Sequence, residues 1–364
     1  MVSKTRAAAA NTFVYVSSTA DGLISHYRLD EQTGALTLVD TVVAGEQSSP
    51  MAVSPDRSSL YVALRGQAPR SVRFAIDPGT GALRHVSETP LPGSMAYLST
   101  DRSGQFLFGA SYGDDLVSVQ AINPDYSVEA EPTCVLKTGM HAHSVRTDNS
   151  NRFVYIGELG TDHVLQYRLH DSGDLSAIDG GKIAATAASG PRHLAFSRNG
   201  RFLYVLGETD GAVTAYLIDP DTGALSQSAR EVGIPQTSKL APGIVRDARN
   251  NDGKDDPTPR IWAADIKLSP DGTLLYFSER TSSSVSAFAV DPDSGELTWL
   301  GFYPVQEKQP RNIAFSANGR WLLVSGEKSE KFASYDIDPE DGSLTRTGEA
   351  PAGRNQVWIE VVRL

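Results

Sequence analysis

Apolar and polar residues follow a pattern of short strands and turns that recurs along the chain. A short apolar stretch is followed by a polar turn and then by aromatic and β-branched residues, as in FSRNGRFLYVLG from Phe196 and LSPDGTLLYFSE from Leu268. The next segment, such as VTAYLIDP from Val213, alternates between apolar and polar residues, which is the period of a half-buried β-strand. Helical periodicity is absent, so the pattern predicts an all-β chain.

A turn motif closes each alternating segment. DPDTGAL begins at Asp219, and close or shortened copies begin at Asp30, Asp77, Asn123, His170, Asp291 and Asp338, about 47 residues apart except for one interval of 72. Proline sets φ near −65° and glycine accepts positive φ, which suits a tight turn between antiparallel strands. Each period therefore predicts four strands, named A to D here, with turns between A and B and between C and D. A period of this length is typical of repeat architectures.

Seven repeats of four antiparallel strands predict a seven-bladed β-propeller, in which ring closure hides most sheet edges. The termini support a closed ring, because NTFVYVSS is a B-type strand without an A strand before it and GRNQVWIEVV is an A-type strand without a B strand after it. We therefore expect the C-terminal strand to complete the N-terminal blade. Residues 12–364 are predicted to form this one domain, after a flexible segment of residues 1–11.

The long interval contains a polar insertion at about residues 233–260. It is too polar for a strand of the sheet and carries several glycines, prolines and charged residues. We expect it to be an excursion between a D strand and the next A strand, over the functional face.

The composition of the chain limits the classes of molecule that it is expected to bind. Lys and Arg number 33 against 44 Asp and Glu, a net charge of −11, which opposes binding to nucleic acid without a local basic stripe. No apolar stretch is long enough for a membrane helix. Cys134 is the only cysteine, which excludes an internal disulfide and a thiolate zinc site. These features predict a cytoplasmic protein that binds neither nucleic acid nor membrane, as a monomer or weak homo-oligomer.

The two faces of the predicted propeller differ. The A–B and C–D turns, which carry the repeated motifs, share one face, named the turn face here. The opposite face, named the variable face, differs from blade to blade and is where we expect the function. The sequence places there, at the starts of A strands and the ends of B strands, Ser18, Met51, Arg65, Met95, Tyr112, His143, Glu158, Arg192, His193, Glu208, Asp265, Glu279, Arg280, Arg311, Glu327, Lys328 and Gln356.

Several arginines beside carboxylates and a histidine suit an anionic small molecule held next to a general base. Other interpretations stay open at this point. The arginines could bridge neighbouring blades, and Glu158 and Glu208 could serve only to neutralise them. A metal site at His141 and His143 is disfavoured, because alternate residues of a strand point to opposite faces.

Five segments together resemble the seven-bladed β-propeller lactonase family. They are HAHS at 141–144, GPRHLAFS at 190–197, GETDGAV at 207–213, WAADIKLSPDGTLLYFSERTSSSV at 262–285 and QPRNIAFS at 309–316. The likeness runs from about Phe13 to the C-terminus. Family members include the propeller-type bacterial 6-phosphogluconolactonase, which PLPGSMAYLSTDRSGQFLFGASY at 90–112 resembles most, and the fungal 3-carboxy-cis,cis-muconate lactonizing enzyme.

The resemblance implies the roles of individual residues. By it, His143 matches an active-site histidine, Arg192 and Arg280 match anion-binding arginines, and Glu208 matches a carboxylate after the following strand. With these four as candidate catalytic residues, we expect substrate contacts from Arg65, Glu158, His193, Asp265 and Arg311. This chain has Glu158, Asp265 and Glu279 where relatives often have Asp, Glu and Asn, which leaves substrate size open.

The implied function is hydrolysis of a small anionic sugar lactone, in the first place 6-phosphoglucono-1,5-lactone. The reaction needs no cofactor and no metal site is expected, although the sequence does not decide whether a divalent ion assists. The alternatives are a galactaro- or glucaro-lactone hydrolase, a muconate-type lactonizing cycloisomerase, or a non-catalytic interaction platform. The sequence has no Trp-Asp dipeptide and one Gly-Gly pair, so the WD and kelch signatures of such platforms are missing.

Overall fold

Each repeat forms a four-stranded antiparallel sheet, and seven such sheets surround a central channel. The computed structural model describes residues 11–246 and 257–364, and in these residues 28 strands and two single-turn 3₁₀ helices are present. In chain order the strands are β1 (Thr12–Ser18), β2 (Leu23–Leu29), β3 (Leu36–Val43), β4 (Ser48–Val53), β5 (Ser59–Leu64), β6 (Arg70–Ile76), β7 (Leu83–Pro90), β8 (Met95–Thr100), β9 (Phe106–Ser111), β10 (Leu116–Ala121), β11 (Cys134–Lys137), β12 (Ala142–Thr147), β13 (Phe153–Glu158), β14 (His163–Leu169), β15 (Leu175–Ala184), β16 (Pro191–Phe196), β17 (Phe202–Gly207), β18 (Ala212–Ile218), β19 (Leu225–Val232), β20 (Ala263–Leu268), β21 (Leu274–Glu279), β22 (Ser284–Val290), β23 (Leu297–Pro304), β24 (Pro310–Phe315), β25 (Trp321–Gly326), β26 (Lys331–Ile337), β27 (Leu344–Pro351) and β28 (Gln356–Arg363). The 3₁₀ helices are Leu159–Thr161 and Gln236–Ser238.

The predicted ring closure is confirmed. The first blade has the strand order β28-β1-β2-β3, so the last strand of the chain is its innermost strand. β28 pairs antiparallel with β1, from Thr12 opposite Arg363 to Ser18 opposite Gln356. Beyond it, Asn11 and Leu364 exchange backbone hydrogen bonds of 3.1 and 2.9 Å. Among the described residues the pairing thus extends to Asn11, and residues 1–10 of the predicted flexible segment lie outside the described residues.

The repeated turn motif joins neighbouring blades. In the second strand of a blade, the hydroxyl of Tyr155 donates a 2.7 Å hydrogen bond to the carbonyl of Gly223, in the DPDTGAL turn of the next blade. Tyr15 bonds Gly81 in the same way at 2.6 Å. Gly223 has φ 79°, and a Cβ there would lie 2.4 Å from the Phe153 ring. Only glycine satisfies both the positive φ and the close approach, which explains the motif structurally.

The hydrophobic core lies between adjacent blades. Aromatic and β-branched residues of the second and third strands are buried, and the outer strands such as β3 are largely exposed. This arrangement leaves the innermost strands, which line the channel, free to carry polar residues. Among the described residues, the helices are single turns that fall far short of the length and apolarity needed to span a membrane.

Candidate active site

Every innermost strand carries a β-bulge near the variable face. In β12 the pairing shifts between Ala142 and Ser144, in β16 between Pro191 and Leu194, and in β20 between Ala263 and Ile266. The same one-residue shift occurs in the other four innermost strands. An extra residue bends the strand and redirects side chains. The bulges contain His143, Arg192, His193, Asp265 and Arg311, five of the nine predicted site residues.

Arg192, Glu208 and Arg280 form a buried charged cluster. Glu208 Oε2 accepts a 2.6 Å hydrogen bond from Arg192 Nε and a 2.9 Å bond from Arg280 Nη2. The three side chains are at most 5 % exposed, and they come from blades formed by β16–β19 and β20–β23. Burial lowers the pKa of Arg280 to about 9 and also lowers the pKa of Arg192. One carboxylate therefore neutralises two guanidinium groups that have left water, and a further anion is favoured beside them.

Both arginines are also fixed by backbone oxygens and an aromatic ring. Arg192 Nη1 donates to the carbonyl of Ala264, and Arg280 donates to the carbonyls of Trp262 and Ala263 at 3.1 and 3.2 Å. The Arg280 guanidinium lies 3.7 Å from the centre of the Trp262 ring. These contacts set the direction of the remaining guanidinium nitrogens. Among the described residues, Arg192 Nη2 and Arg280 Nη1 have no hydrogen-bond partner, so they can bind a ligand.

His143 is a buried neutral imidazole beside this cluster. Burial, with the positive charges of Arg192 and other groups, holds the pKa of His143 well below its ordinary value. Its ring packs edge-on against Tyr112 and His193, with centroid distances of 5.6 and 5.1 Å. Nδ1 is buried and has no hydrogen-bond partner among the described residues. A neutral imidazole with an unused lone pair can accept a proton.

His193 and Asp265 form a second layer in the channel. His193 Nδ1 lies 2.7 Å from Asp265 Oδ1, and burial lowers the pKa of His193 to about 3. Asp265 also accepts bonds from Lys267, Asn312 and the backbone N–H of Ile313. Burial alone would raise the pKa of Asp265, but Lys267 and His193 lower it below its ordinary value. Because its oxygens are occupied by protein donors, Asp265 supports the site rather than offering itself to a ligand.

Arg65 and Arg311 are more exposed and lie near each other. Arg311 Nη1 donates a 2.8 Å bond to Glu327, and Arg65 Nε donates a 3.2 Å bond to Ser94. Burial and the nearby charge of Arg311 lower the pKa of Arg65 to about 10. This mutual repulsion is relieved when an anion binds between or beside them.

Glu158 lies apart from the arginine cluster. Its carboxylate accepts the backbone N–H of Gly139 at 2.5 Å and the hydroxyl of Thr161. Glu279, at the same position of another blade, likewise accepts N–H groups of its own loop, at 2.8 Å from Trp262 and 2.7 Å from Ser282. Glu158 therefore holds a loop, and its contact with substrate stays a prediction.

A one-residue offset explains this difference. Counting from the buried tyrosine of the second strand, Tyr155 in β13 and Tyr204 in β17, Glu158 is the third residue and Glu208 is the fourth. Successive residues of a strand point to opposite sides. The fourth position is occupied by Arg65 and Arg280, counted from the tyrosines of β5 and β21, and by Glu327, counted from the leucine at the same place in β25, which explains why those side chains meet at the channel. Counting from the tyrosines in the sequence would have separated Glu158 from Glu208.

Parts of the insertion contact the site, and residues 247–256 lie outside the described residues. The N–H of Gly243 donates a 2.7 Å bond to the carbonyl of Thr209, which follows Glu208. The guanidinium of Arg246 lies 3.8 Å from the centre of the Trp262 ring, and the carbonyl of Arg246 accepts the Tyr112 hydroxyl. The described ends of the insertion therefore lie on the variable face. The sequence did not single out Trp262, which Arg246 and Arg280 both contact.

No group of three or more His, Cys, Asp or Glu side chains suited to a metal ion occurs within residues 11–246 and 257–364. His141, weighed above with His143 for a metal site, stacks on Tyr112 at 4.0 Å, with Nδ1 2.9 Å from the Tyr112 carbonyl.

Comparison with known proteins identifies the family. The family model described as "Lactonase, 7-bladed beta-propeller" matches residues 13–361. The chain belongs to the seven-bladed β-propeller lactonases. Among lactonase relatives, the 6-phosphogluconolactonase of Pectobacterium carotovorum subsp. carotovorum (strain PC1) is 37 % identical over 298 residues, 82 % of each chain. That of Enterobacter sp. (strain 638) is 34 % identical over 298 residues, 82 % of this chain and 83 % of the relative.

Solved structures of this lactonase fold agree. The periplasmic gluconolactonase of Pseudomonas aeruginosa superposes with a TM-score of 0.81 at 25 % identity, covering 97 % of this chain and 99 % of that one. A protein from Lactobacillus plantarum superposes with a TM-score of 0.82 at 23 % identity, over 97 % and 99 % of the chains, and shows the fold alone. The predicted fold and family are thereby confirmed.

Proposed function

We propose that this lactonase hydrolyses 6-phosphoglucono-1,5-lactone to 6-phosphogluconate. The observation that carries the proposal is His143, a buried neutral imidazole with an unpartnered Nδ1 beside a cluster of arginines. The relatives named 6-phosphogluconolactonase, at 34 and 37 % identity, support this substrate over other sugar lactones.

The charges suit a phosphorylated substrate. Arg192 and Arg280 share Glu208, and Arg311 pairs with Glu327. Arg65 bonds Ser94, and the charge of Asp114 acts on it. Even with Asp114 counted, guanidinium groups outnumber carboxylates, which suits a phosphate group, whose oxygens pair with guanidinium groups. We assign Arg65 and Arg311, the more exposed pair, to the phosphate and the buried pair to the lactone carbonyl.

In the proposed mechanism His143 takes a proton from a water molecule as its oxygen adds to the lactone carbonyl carbon. Negative charge develops on the carbonyl oxygen, and Arg192 and Arg280 stabilise it in a site that excludes water. The ring C–O bond then breaks, and protonated His143 returns the proton to the leaving oxygen. The carbonyl of a lactone is already reactive, so these groups suffice without a cofactor.

Glu208 is the weaker candidate for the base. Its Oε2 is already the acceptor for two guanidinium groups, and protonation of the carboxylate would remove the negative charge that compensates both of them. We assign it the role of holding Arg192 and Arg280 in position. Arg192, Arg280 and Glu208 thus act as one unit around the carbonyl, and His143 acts as the base.

The test measures hydrolysis of a panel of lactones by purified protein. The acid that each lactone releases is followed, and the rate of spontaneous hydrolysis is subtracted. We expect turnover of 6-phosphoglucono-1,5-lactone and at least about tenfold lower kcat/KM for glucono-1,5-lactone, which lacks the phosphate. Faster turnover of galactaro- or glucaro-lactone would favour the sugar-diacid alternative. Turnover of none of them by folded protein would refute the proposal. The cytoplasmic location and the monomeric or weakly associated state stay predictions.

A further inference from the structure

The opposite end of the channel, on the turn face, holds a second group of positive charges. A cavity of about 380 Å³ is lined by residues of five innermost strands, β4, β8, β12, β20 and β28, and by residues of two A–B turns. Innermost strands of five different blades come together only around the axis of the propeller. Because A–B turns also line the cavity, it is the mouth of the channel on the turn face. Its polar lining includes Tyr97, Arg102, Arg146, Lys267 and Glu360. An adjoining cavity of about 370 Å³ shares Arg102, Arg146 and Lys267.

At the candidate active site, carboxylates form ion pairs with the arginines. The two arginines of this cavity have no such ion pairs among the described residues. Arg102 donates a 2.5 Å bond to the amide oxygen of Asn149, and Arg146 donates a 3.1 Å bond to the carbonyl of Leu194. In the part of the chain that the structure describes, neither guanidinium is paired with a carboxylate. Lys267 contacts Asp265 at 3.1 Å, on the channel axis.

The two acidic residues of the cavity are already engaged. Asp101 accepts backbone N–H groups of Ser103 and Phe106 at 3.0 and 2.8 Å, so it holds its own turn. Glu360 accepts the indole N–H of Trp358 at 2.7 Å, and burial raises the pKa of Glu360. Three cationic side chains thus line the cavity against two acidic ones. Because Lys267 is paired with Asp265, attraction of a small anion rests on Arg102 and Arg146, whose guanidinium groups have no carboxylate partner among the described residues.

The rest of the lining suits a molecule with hydroxyl groups. Tyr97 and Trp358 pack edge to face at 5.2 Å and form an aromatic wall. Ser99 and Thr100 also line the cavity. Their hydroxyls donate to backbone carbonyls at 2.7 and 3.2 Å, so their oxygens remain as acceptors. An aromatic wall with hydroxyl acceptors and cationic groups fits a sugar carrying an acidic group.

We propose that the turn-face mouth is a second ligand site, which binds a small polyhydroxylated anion, a sugar phosphate or a sugar acid. The site is separate from the candidate active site, because the His193–Asp265 layer lies between the two. It does not depend on the proposed function, since its residues take no part in that mechanism.

The two sites can be followed separately by tryptophan fluorescence. Trp358 lines the turn-face cavity, whereas Trp262 contacts Arg280 at the candidate active site. In Trp262→Phe protein, titration with glucose 6-phosphate, and separately with gluconate, is expected to give a saturable change in emission. Tighter binding of glucose 6-phosphate assigns the phosphate group to the arginines, and tighter binding of gluconate assigns the carboxylate.

Adding Arg146→Gln or Arg102→Gln to Trp262→Phe is expected to weaken this binding by about tenfold or more, the usual effect of losing a charge-assisted bond. Arg201→Gln is the matched control. Arg146 lies 5.6 Å from the centre of the Phe196 ring. Arg201 likewise lies 5.5 Å from the centre of a phenylalanine ring and donates to a backbone carbonyl, at 3.0 Å, but it does not line this cavity. Circular dichroism confirms that each variant is folded.

Two results would overturn the proposal. One is no saturable signal in Trp262→Phe protein with either probe. The other is equal affinity in the Arg146, Arg102 and Arg201 variants. Neither result bears on lactone hydrolysis, which is measured on wild-type protein, so the two proposals can fail independently.

Discussion

Glu208→Gln removes the one negative charge that two buried guanidinium groups share. Arg192 Nε and Arg280 Nη2 both donate to Glu208 Oε2, and all three side chains are at most 5 % exposed. The glutamine has nearly the same volume, so packing is kept and the perturbation is electrostatic. What remains is a pair of positive charges that have lost water without gaining a counter-ion.

The magnitude follows from the burial of the cluster. Leaving a buried charge uncompensated costs about 3–5 kcal/mol, and the retained amide oxygen of glutamine favours the lower end. With an unfolding entropy of about 2.1 cal/mol/K per residue over 364 residues, a loss of about 3 kcal/mol lowers Tm by about 4 °C. Because an anion can replace the lost carboxylate, phosphate is expected to raise the Tm of the variant more than that of wild-type protein.

Differential scanning calorimetry at pH 7, with and without phosphate, measures both effects. Glu327→Gln is the control, because Glu327 pairs with Arg311 at 2.8 Å where the two side chains are 14 and 25 % exposed. Because this pair is partly exposed, its loss is expected to cost about 1 kcal/mol, so its Tm should fall by about 1 °C. Equal shifts in the two variants, or no shift in Glu208→Gln, would refute the electrostatic reasoning.

Three further variants test the site and the fold. His143→Ala should lower kcat by about 10²–10⁴ in steady-state assays. Because the pKa of His143 is lowered, its basic form is present above that depressed pKa, so wild-type kcat should stay flat from pH 6 to 8 and fall only in acid. Loss of kcat already at pH 7 in wild-type protein would contradict this. Arg192→Ala should mainly lower kcat, because Arg192 stabilises the charge that develops on the carbonyl oxygen, and a rise in KM alone would argue against that role. Asp219→Ala removes hydrogen bonds of 3.0 and 2.8 Å to Asp221 and Thr222 in the repeated turn, so it should lower Tm slightly in calorimetry and leave kcat and KM unchanged. A large kinetic effect would mean that the site lies on the turn face.

The fold could be predicted from the sequence because each repeat has the same pattern of turn and strand residues. Turn residues such as Pro220 and Gly223 act within a few positions, and β18, rich in apolar residues, is buried at every position except Leu217. Ring closure followed from the mismatch between the two termini. These signals come from neighbouring residues or from the number of strands in each repeat, so they can be identified without knowing which distant residues are in contact.

Only part of the candidate active site could be predicted from the sequence, because its geometry depends on the register of the strands. A β-bulge in β16 brings Arg192 and His193 to the channel. The residue types at 191–193 do not predict this bulge. Glu158 looked equivalent to Glu208 because both follow a glycine, yet they differ by one position relative to the buried tyrosine. The contact between Trp262 and Arg280 joins a loop to the end of a strand, and only the folded chain brings them together.

The pairing of β28 with β1 has a consequence for synthesis. Thr12–Ser18 leaves the ribosome long before its partner Gln356–Arg363. Until that partner has been synthesised, the first blade has an unpaired inner edge, which is a site for association with other chains. Long-range closure of this kind is slow. We therefore expect nascent chains, and chains lacking the last nine residues, to require chaperones and to aggregate more readily than the finished protein.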